Sequence, residues 1–368
     1  MVPAGLAMVG SWNAAPATAH AAVRAAAGLA LLDAVVEGIE IIEDDPAELS
    51  VGYGGLPNED GEVELDAAVM DATLHKAGAV AGLRGCRRAA RVALEVLRRT
   101  DHALLVGEGA SRFARCLGFR EEDLMTEASR AAWLEWKASL SSRDGWITRH
   151  EGATGAEDPR AGDAAEPNPF AAAWAGHVDN PTPGGPPGAS GDPRGAGDVL
   201  ARGELGGGPR VPFTHGTVHV SARGADGVLC ACTSTSGLSY KIAGRVGDTP
   251  MIGAGIYCEH GIGSAGATGR GEATLHACAA HEVVRGLERG REPVDACLDA
   301  LRVIDRTTRQ PRLRRDGKPA FNVTLYALRA DGALGAAAIH PGYTFVAQRA
   351  GVTTLERAAA LFAESARA

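Results

Sequence analysis

Between residues 151 and 213 the chain loses its apolar periodicity. Gly, Pro, Ala and Asp dominate, as in Asn180-Pro181-Thr182-Pro183-Gly184-Gly185-Pro186-Pro187-Gly188. Such a composition buries too little apolar surface to offset its ordering entropy, so it predicts a flexible linker. A linker this long inside one compact domain makes sense if the chain is cut at its far end, where a freed tail need not pack. At that end stand His215-Gly216-Thr217, and a strand pattern resumes at once with Val218-His219-Val220. Its hairpin partner is Gly227-Val228-Leu229-Cys230-Ala231-Cys232-Thr233-Ser234-Thr235. Two structured halves, 1–150 and 217–368, must therefore build around an interruption at 151–213.

The first half alternates strands and helices. Residues 5–11 read as a short strand, and Pro16 and Thr18 open one long helix that runs to Glu43 and stops at Asp44-Asp45-Pro46. Strands are predicted at 63–71, 77–82 and 102–106, the last one buried, and helices at 87–99 and 121–140. In the second half, helices are expected at 272–288, 293–304 and 352–366, with strands at 320–328 and 334–339. Strands in both halves, flanked by helices, fit an α/β (α+β) fold with two sheets face to face and helices outside, a four-layer α/β/β/α sandwich.

Composition closes off several functions. With 45% hydrophobic but only 5% aromatic residues, the core must be built from Ala, Val, Leu and Ile. A net charge of −8 argues against nucleic acid as a partner. The apolar run 19–42 is interrupted by Arg24, Asp33, Glu37 and Glu40, so it reads as a soluble helix and no membrane partner is expected. The start of the chain lacks the basic residues of a signal peptide, and the expectation is a cytoplasmic protein. Seven scattered cysteines do not make a disulfide framework. Cys230, Cys232, Cys258 and His260 lack zinc-site spacing, so these cysteines read as small buried apolar residues and neither metal nor cofactor is expected.

The chemistry starts from Thr217. Alone it reads first as a strand threonine chosen for β-propensity. If the Gly216–Thr217 bond breaks, the freed α-amine (ordinary pKa about 7.7–8) lies beside the Thr217 hydroxyl and can take its proton. Gly216 has no Cβ and tolerates the strained backbone that an N→O acyl shift requires. Downstream come Thr235, then Gly244-Arg245-Val246-Gly247-Asp248, then Ala267-Thr268-Gly269-Arg270-Gly271. Singly, Arg245 and Asp248 read as a surface ion pair, Thr268-Gly269 as a turn, Thr235 as strand propensity and Trp12 as core. Together they read as parts of an amidohydrolase whose nucleophile becomes a new N-terminus. His75, His102, His219 and His276 have no partner pattern and read as packing or surface.

In order along the chain stand Gly10-Ser11-Trp12-Asn13, Ser50-Val51-Gly52-Tyr53-Gly54-Gly55-Leu56-Pro57, Glu64-Leu65-Asp66-Ala67, Met70-Asp71, Gly78-Ala79-Val80 and Thr233-Ser234-Thr235-Ser236-Gly237. Gly244-Arg245-Val246-Gly247-Asp248-Thr249-Pro250 and Ala267-Thr268-Gly269-x-Gly271 complete the series. This chain resembles the glycosylasparaginase (aspartylglucosaminidase) family of N-terminal-nucleophile hydrolases over most of 5–150 and 214–347. The resemblance implies Thr217 as nucleophile and new N-terminus, Thr235 as the hydroxyl that tunes it, and Thr268 (hydroxyl) with Gly269 (N–H) as the oxyanion hole. It implies Arg245 on the substrate α-carboxylate, Asp248 on its α-ammonium and Trp12 lining the pocket. His215 and Gly216 would serve self-cleavage, while Asp66 and Asp71 would buttress the site.

That family usually has Asp where this chain has Gly216; plant-type asparaginases have Gly there and still mature. Arg270 stands where the family tends to have a smaller polar residue. The implied activity is hydrolysis of N4-(β-N-acetylglucosaminyl)-L-asparagine, part of glycoprotein degradation, by an αβ heterodimer that pairs into an (αβ)2 heterotetramer. L-asparaginase or β-aspartyl (isoaspartyl) peptidase activity is the alternative within the same chemistry. An unprocessed homologue that only binds Asn- or Asp-like ligands is the alternative outside it.

Overall fold

The computed structural model describes residues 5–139 and 216–362. The linker expected at 151–213 and the residue His215 lie outside them. The first half contains β1 (Ala7–Gly10), α1 (Ala15–Ala26), α2 (Leu31–Glu43), β2 (Leu65–Asp71) and β3 (Lys76–Leu83). It continues with α3 (Ala89–Arg99), β4 (Leu104–Val106), α4 (Gly107–Cys116) and α5 (Glu127–Ser139). The second half opens with β5 (Val218–Arg223), β6 (Leu229–Thr235), β7 (Ile256–Glu259) and β8 (Gly263–Gly269). Three helices follow, α6 (Gly271–Ala277), α7 (Ala279–Glu288) and α8 (Pro293–Thr307). The strands β9 (Arg314–Arg315), β10 (Lys318–Pro319), β11 (Val323–Arg329), β12 (Leu334–Ala338), β13 (Thr344–Arg349), β14 (Val352–Arg357) and β15 (Ala359–Ala360) close the described chain.

Eight strands form one sheet in the order β14-β13-β1-β5-β6-β2-β3-β4, so strands from both sides of the linker interleave. Five more form a second sheet, β15-β12-β11-β8-β7. Both sheets are mixed: β3–β4 and β12–β15 run parallel and the other pairs antiparallel.

Period-two alternation explains how each strand serves two cores. In β2, Leu65, Ala67 and Val69 join α1–α4 in one apolar cluster, whereas Ala68 and Met70 join a cluster shared by the two sheets. In β11, Val323, Leu325 and Ala327 face α7 and α8, and Tyr326 and Leu328 face the first sheet. Strands buried on both faces read as nearly continuous apolar runs, which is why β2, β6 and β11 stand out in the sequence.

Five elements differ from expectation, the first being the helix expected at 121–140, which begins only at Glu127. The helix expected from Pro16 to Glu43 is two helices, broken where Gly28 takes φ +92°. The helix expected at 272–288 is likewise split, at Cys278 with φ +46°. Residues 352–357 and 359–360 of the expected closing helix are strands: β14 pairs with β13 through six register positions, and its β-branched Val352, Thr353 and Thr354 suit a pleated edge. The strand at Leu104–Val106 is a short edge strand, not a buried one, with Val106 58% exposed. Helix α4 and strands β7, β8 and β13 were not expected as elements.

Strand β8, Gly-Ser-Ala-Gly-Ala-Thr-Gly, has a poor intrinsic tendency to form a strand. Tertiary pairing makes it one, since all seven residues pair with β11. Its small residues permit close approach: a Cβ on Gly266 would lie 2.2 Å from the His219 ring, and one on Gly263 would lie 2.6 Å from Leu287.

Candidate active site

Thr217 is buried, 8% exposed, and immediately precedes β5. The register pairs Val218 with Ser234, which brings Thr235 at the end of β6 alongside Thr217. The Thr235 hydroxyl donates to the carbonyl oxygen of Gly216 at 2.6 Å and accepts from the Gly237 N–H at 2.9 Å. The carbonyl of the bond ahead of Thr217 is thus held by a side-chain donor whose own oxygen is fixed.

Gly216 is required by space. A Cβ on Gly216 would lie 1.6 Å from Ser50 Oγ and 2.1 Å from Ser50 Cβ. Ser50 is anchored to the exit of β6, its carbonyl accepting from the Ser236 N–H at 2.8 Å.

Two more glycines lie against the remaining residues. A Cβ on Gly237 would lie 2.9 Å from Lys241 Nζ and 3.7 Å from Arg245 Nη1. One on Gly271 would lie 2.8 Å from Asp248 Oδ1 and 3.2 Å from Arg245 Nη2. Arg245 therefore borders Gly237, two residues past Thr235, and also Gly271, two residues past Gly269. Asp248 flanks the same Gly271. Burial pushes the Asp248 carboxyl up to about 6, against the opposing pull of Thr274 and Arg245. Arg245 donates from Nε (3.0 Å) and Nη2 (2.6 Å) to Glu272 Oε1. Burial raises the Glu272 carboxyl, but Arg245 outweighs it and holds the group below its ordinary range.

Gly269 takes φ +108°, and a Cβ there would lie 2.4 Å from the Asn322 carbonyl oxygen. The hydroxyl of Thr268 meets that of Tyr326 at 2.8 Å. Strands β5 and β8 meet where the His219 ring fills the space over Gly266, two residues from Thr217 on one strand and two from Thr268 on the other. Trp12 lies in the turn after β1, half-buried and, among the described residues, in none of the apolar clusters. That turn is tied to the nucleophile strand: Ser11 N–H donates to the His219 carbonyl, and His219 N–H to Ser11 Oγ, both at 3.0 Å.

The family model described as Asparaginase matches residues 9–312. The N(4)-(Beta-N-acetylglucosaminyl)-L-asparaginase of Elizabethkingia miricola is 32% identical over 315 residues, covering 85% of this chain and 72% of that protein. The rat (Rattus norvegicus) protein of the same name is 33% identical over 303 residues, 81% of this chain and 77% of that protein.

This chain belongs to the glycosylasparaginase family.

Within this glycosylasparaginase-family site, some polar residues escape a reading of sequence alone. Lys241 is buried beneath Gly237 and donates to the carbonyls of Glu64 and Ser236, each at 3.2 Å. Burial lowers its pKa, opposed by Asp66 and Glu64. Asp66 is equally buried and raised, opposed by Lys241, and it accepts from the Gly82 N–H at 2.8 Å. Asp71 caps the β2–β3 turn through Thr73 N–H (2.8 Å) and Leu74 N–H (3.0 Å). Of these residues, Asp66 and Asp71 were expected to buttress the site, whereas Lys241 was not singled out in the sequence. Arg270 lies over the buried Phe321 ring, 5.4 Å from its centroid. Cys230 and Cys232 point into the helix-side cluster and Cys258 into the inter-sheet one, with His260 exposed. Among the described residues no His, Cys, Asp and Glu converge as metal ligands, and no helix is long and apolar enough to cross a membrane.

Proposed function

We propose that this protein is a cytoplasmic, self-processing N-terminal threonine amidohydrolase that cleaves N4-(β-N-acetylglucosaminyl)-L-asparagine to aspartate and the glycosylamine. The observation that carries this reading is the Thr235 hydroxyl on the Gly216 carbonyl, with Thr217 beside it. The names of the bacterial and rat relatives support the substrate. The interleaved halves and three stacked apolar clusters support a four-layer α/β/β/α sandwich of the N-terminal-nucleophile type. Halves that share one sheet would stay together after cleavage as an αβ heterodimer, and two of these would pair.

In this reading the Gly216–Thr217 bond breaks first. The freed Thr217 amine takes the proton of its own hydroxyl, and Oγ attacks the side-chain carbonyl of the substrate. Thr268 Oγ–H and Gly269 N–H stabilise the oxyanion, Arg245 grips the α-carboxylate in a charge-assisted pair, and Asp248 the α-ammonium. Trp12 lines the pocket. The glycosylamine leaves, and water activated by the Thr217 amine frees aspartate from the ester.

Release of aspartate from glycosyl-asparagine, free asparagine and β-aspartyl dipeptides tests the substrate. The proposal expects the highest kcat/KM for glycosyl-asparagine. Equal or better peptide turnover would make it a β-aspartyl peptidase, and ligand binding without release from any of the three would make it a binding homologue.

A further inference from the structure

An uncut chain poses a chemical problem that the mature enzyme does not. Before cleavage the nitrogen of Thr217 is an amide and cannot act as a base, yet its hydroxyl must lose a proton to attack the Gly216 carbonyl. Gly216 offers no side chain, and Ser50 Oγ occupies the space where one would be. Ser50 is buried, and its hydroxyl donates to Glu48 Oε1 at 2.5 Å. Both carboxylate oxygens of Glu48 are held: Oε1 also accepts from the Ser50 N–H (3.2 Å), and Oε2 from Asn13 Nδ2 (3.3 Å). Asn13 is fixed in turn by Ser11 Oγ–H donating to its Oδ1 at 2.6 Å. The peptide ahead of Thr217 thus has a hydrogen-bond donor on its carbonyl, Thr235, and a serine–carboxylate pair packed against its α-carbon.

We propose that Glu48, acting through Ser50, is the proton acceptor for self-cleavage before Thr217. The inference rests on the self-processing reading above. As Thr217 Oγ bonds to the Gly216 carbonyl carbon, its proton passes to Ser50 Oγ, and the Ser50 proton passes to the Glu48 carboxylate. Negative charge on the Gly216 oxygen is met by the Thr235 hydroxyl. The carbon–nitrogen bond then breaks, and the proton returns from Glu48 through Ser50 to the Thr217 nitrogen. This leaves a neutral amine and an ester, which water hydrolyses to the Gly216 carboxylate and the free Thr217 hydroxyl. Glu48 ends unprotonated, as it began. Glu48 is a positioning residue in this scheme, since only Ser50 meets the reacting atoms.

The test follows cleavage of the full-length chain by intact mass against time, in wild type and in the Thr217→Ala, Glu48→Gln, Glu48→Ala, Glu48→Asp and Ser50→Ala variants. Wild type cut before Thr217, with Thr217→Ala uncut, establishes the underlying reading independently of Glu48. Glu48→Gln and Ser50→Ala are then expected to slow cleavage about 10²-fold or more, the usual contribution of a positioned base. Their double variant should be no slower than the worse single, because both belong to one relay. Added formate should accelerate Glu48→Ala but not Ser50→Ala, and Glu48→Asp should recover part of the rate; a merely structural glutamate would show neither effect. Cleavage of Glu48→Gln at the wild-type rate overturns the proposal, as does a slow Glu48→Ala indifferent to formate alongside an equally slow Glu48→Asp. A wild-type chain that never cuts overturns it together with the reading beneath it.

Discussion

The hydroxyls of Tyr326 and Thr268 lie 2.8 Å apart, buried between the two sheets. Tyr326 also stacks on His219, with ring centroids 5.9 Å apart and planes 14° from parallel. The His219 Nε2 meets Ser221 Oγ at 2.9 Å, and Ser221 Oγ meets Ser264 Oγ at 2.6 Å. The candidate oxyanion hydroxyl is therefore oriented by a polar seam from deep in the inter-sheet core. Tyr326→Phe keeps the stack and removes the hydroxyl. Steady-state kinetics should show kcat down about fivefold with KM nearly unchanged, since an orienting bond worth about 1 kcal/mol is lost without touching the ground-state clamp.

Gly271→Ala should damage binding of the amino-acid end. The new Cβ would lie 2.8 Å from Asp248 Oδ1 and 3.2 Å from Arg245 Nη2, so both groups must shift. KM should rise at least about tenfold, the equivalent of roughly 1.4 kcal/mol, whereas Gly109→Ala in α4, with nothing nearby and no unusual backbone, should match wild type.

Acid should weaken binding through Asp248. An α-ammonium is attracted to the carboxylate but not to the neutral acid, and burial places the change at about 6. KM should therefore climb as pH falls through 6 and level off above it. In Asp248→Asn, KM should be high and lack that inflection.

Glu43 carries a separate pH effect on stability. It is buried, its Oε1 accepts from Ser234 Oγ (2.6 Å) and the Ala90 N–H (2.8 Å), and its Oε2 has no partner among the described residues. Burial pushes its carboxyl up to about 8. Because the folded value exceeds the unfolded one near 4.5, the folded state is favoured fully below about 4.5 and loses that advantage as pH rises to about 8. Glu43→Gln keeps the acceptor oxygen and removes the titration. Urea midpoints at pH 5 and pH 8 should differ less in the variant than in wild type.

Much of this arrangement was legible because several residues announce themselves locally. The hairpin from Val218 to Thr235 shows in its apolar runs on either side of a Gly-Ala-Asp-Gly turn. Arg245 and Asp248 stand out between glycines, and Gly271 is the position whose missing Cβ leaves both of them room. What stayed hidden was set by partners far along the chain. Strand β8 reads as a turn because its glycines answer to His219 and Leu287. Cys278 gives no sign of its left-handed backbone, and the β14 strand exists only by pairing with β13. Gly216 looks like a flexible residue, yet it is small because Ser50, far away in sequence, fills its side-chain space.

An intact mass spectrum of the purified chain, wild type beside Thr217→Ala, tests self-cleavage before Thr217 most directly. Wild type should give two polypeptides whose masses sum to the full chain plus one water, the smaller beginning at Thr217, and the variant a single inactive chain. A catalytically active wild type that remains one uncut chain, or that is cut anywhere other than before Thr217, would contradict it.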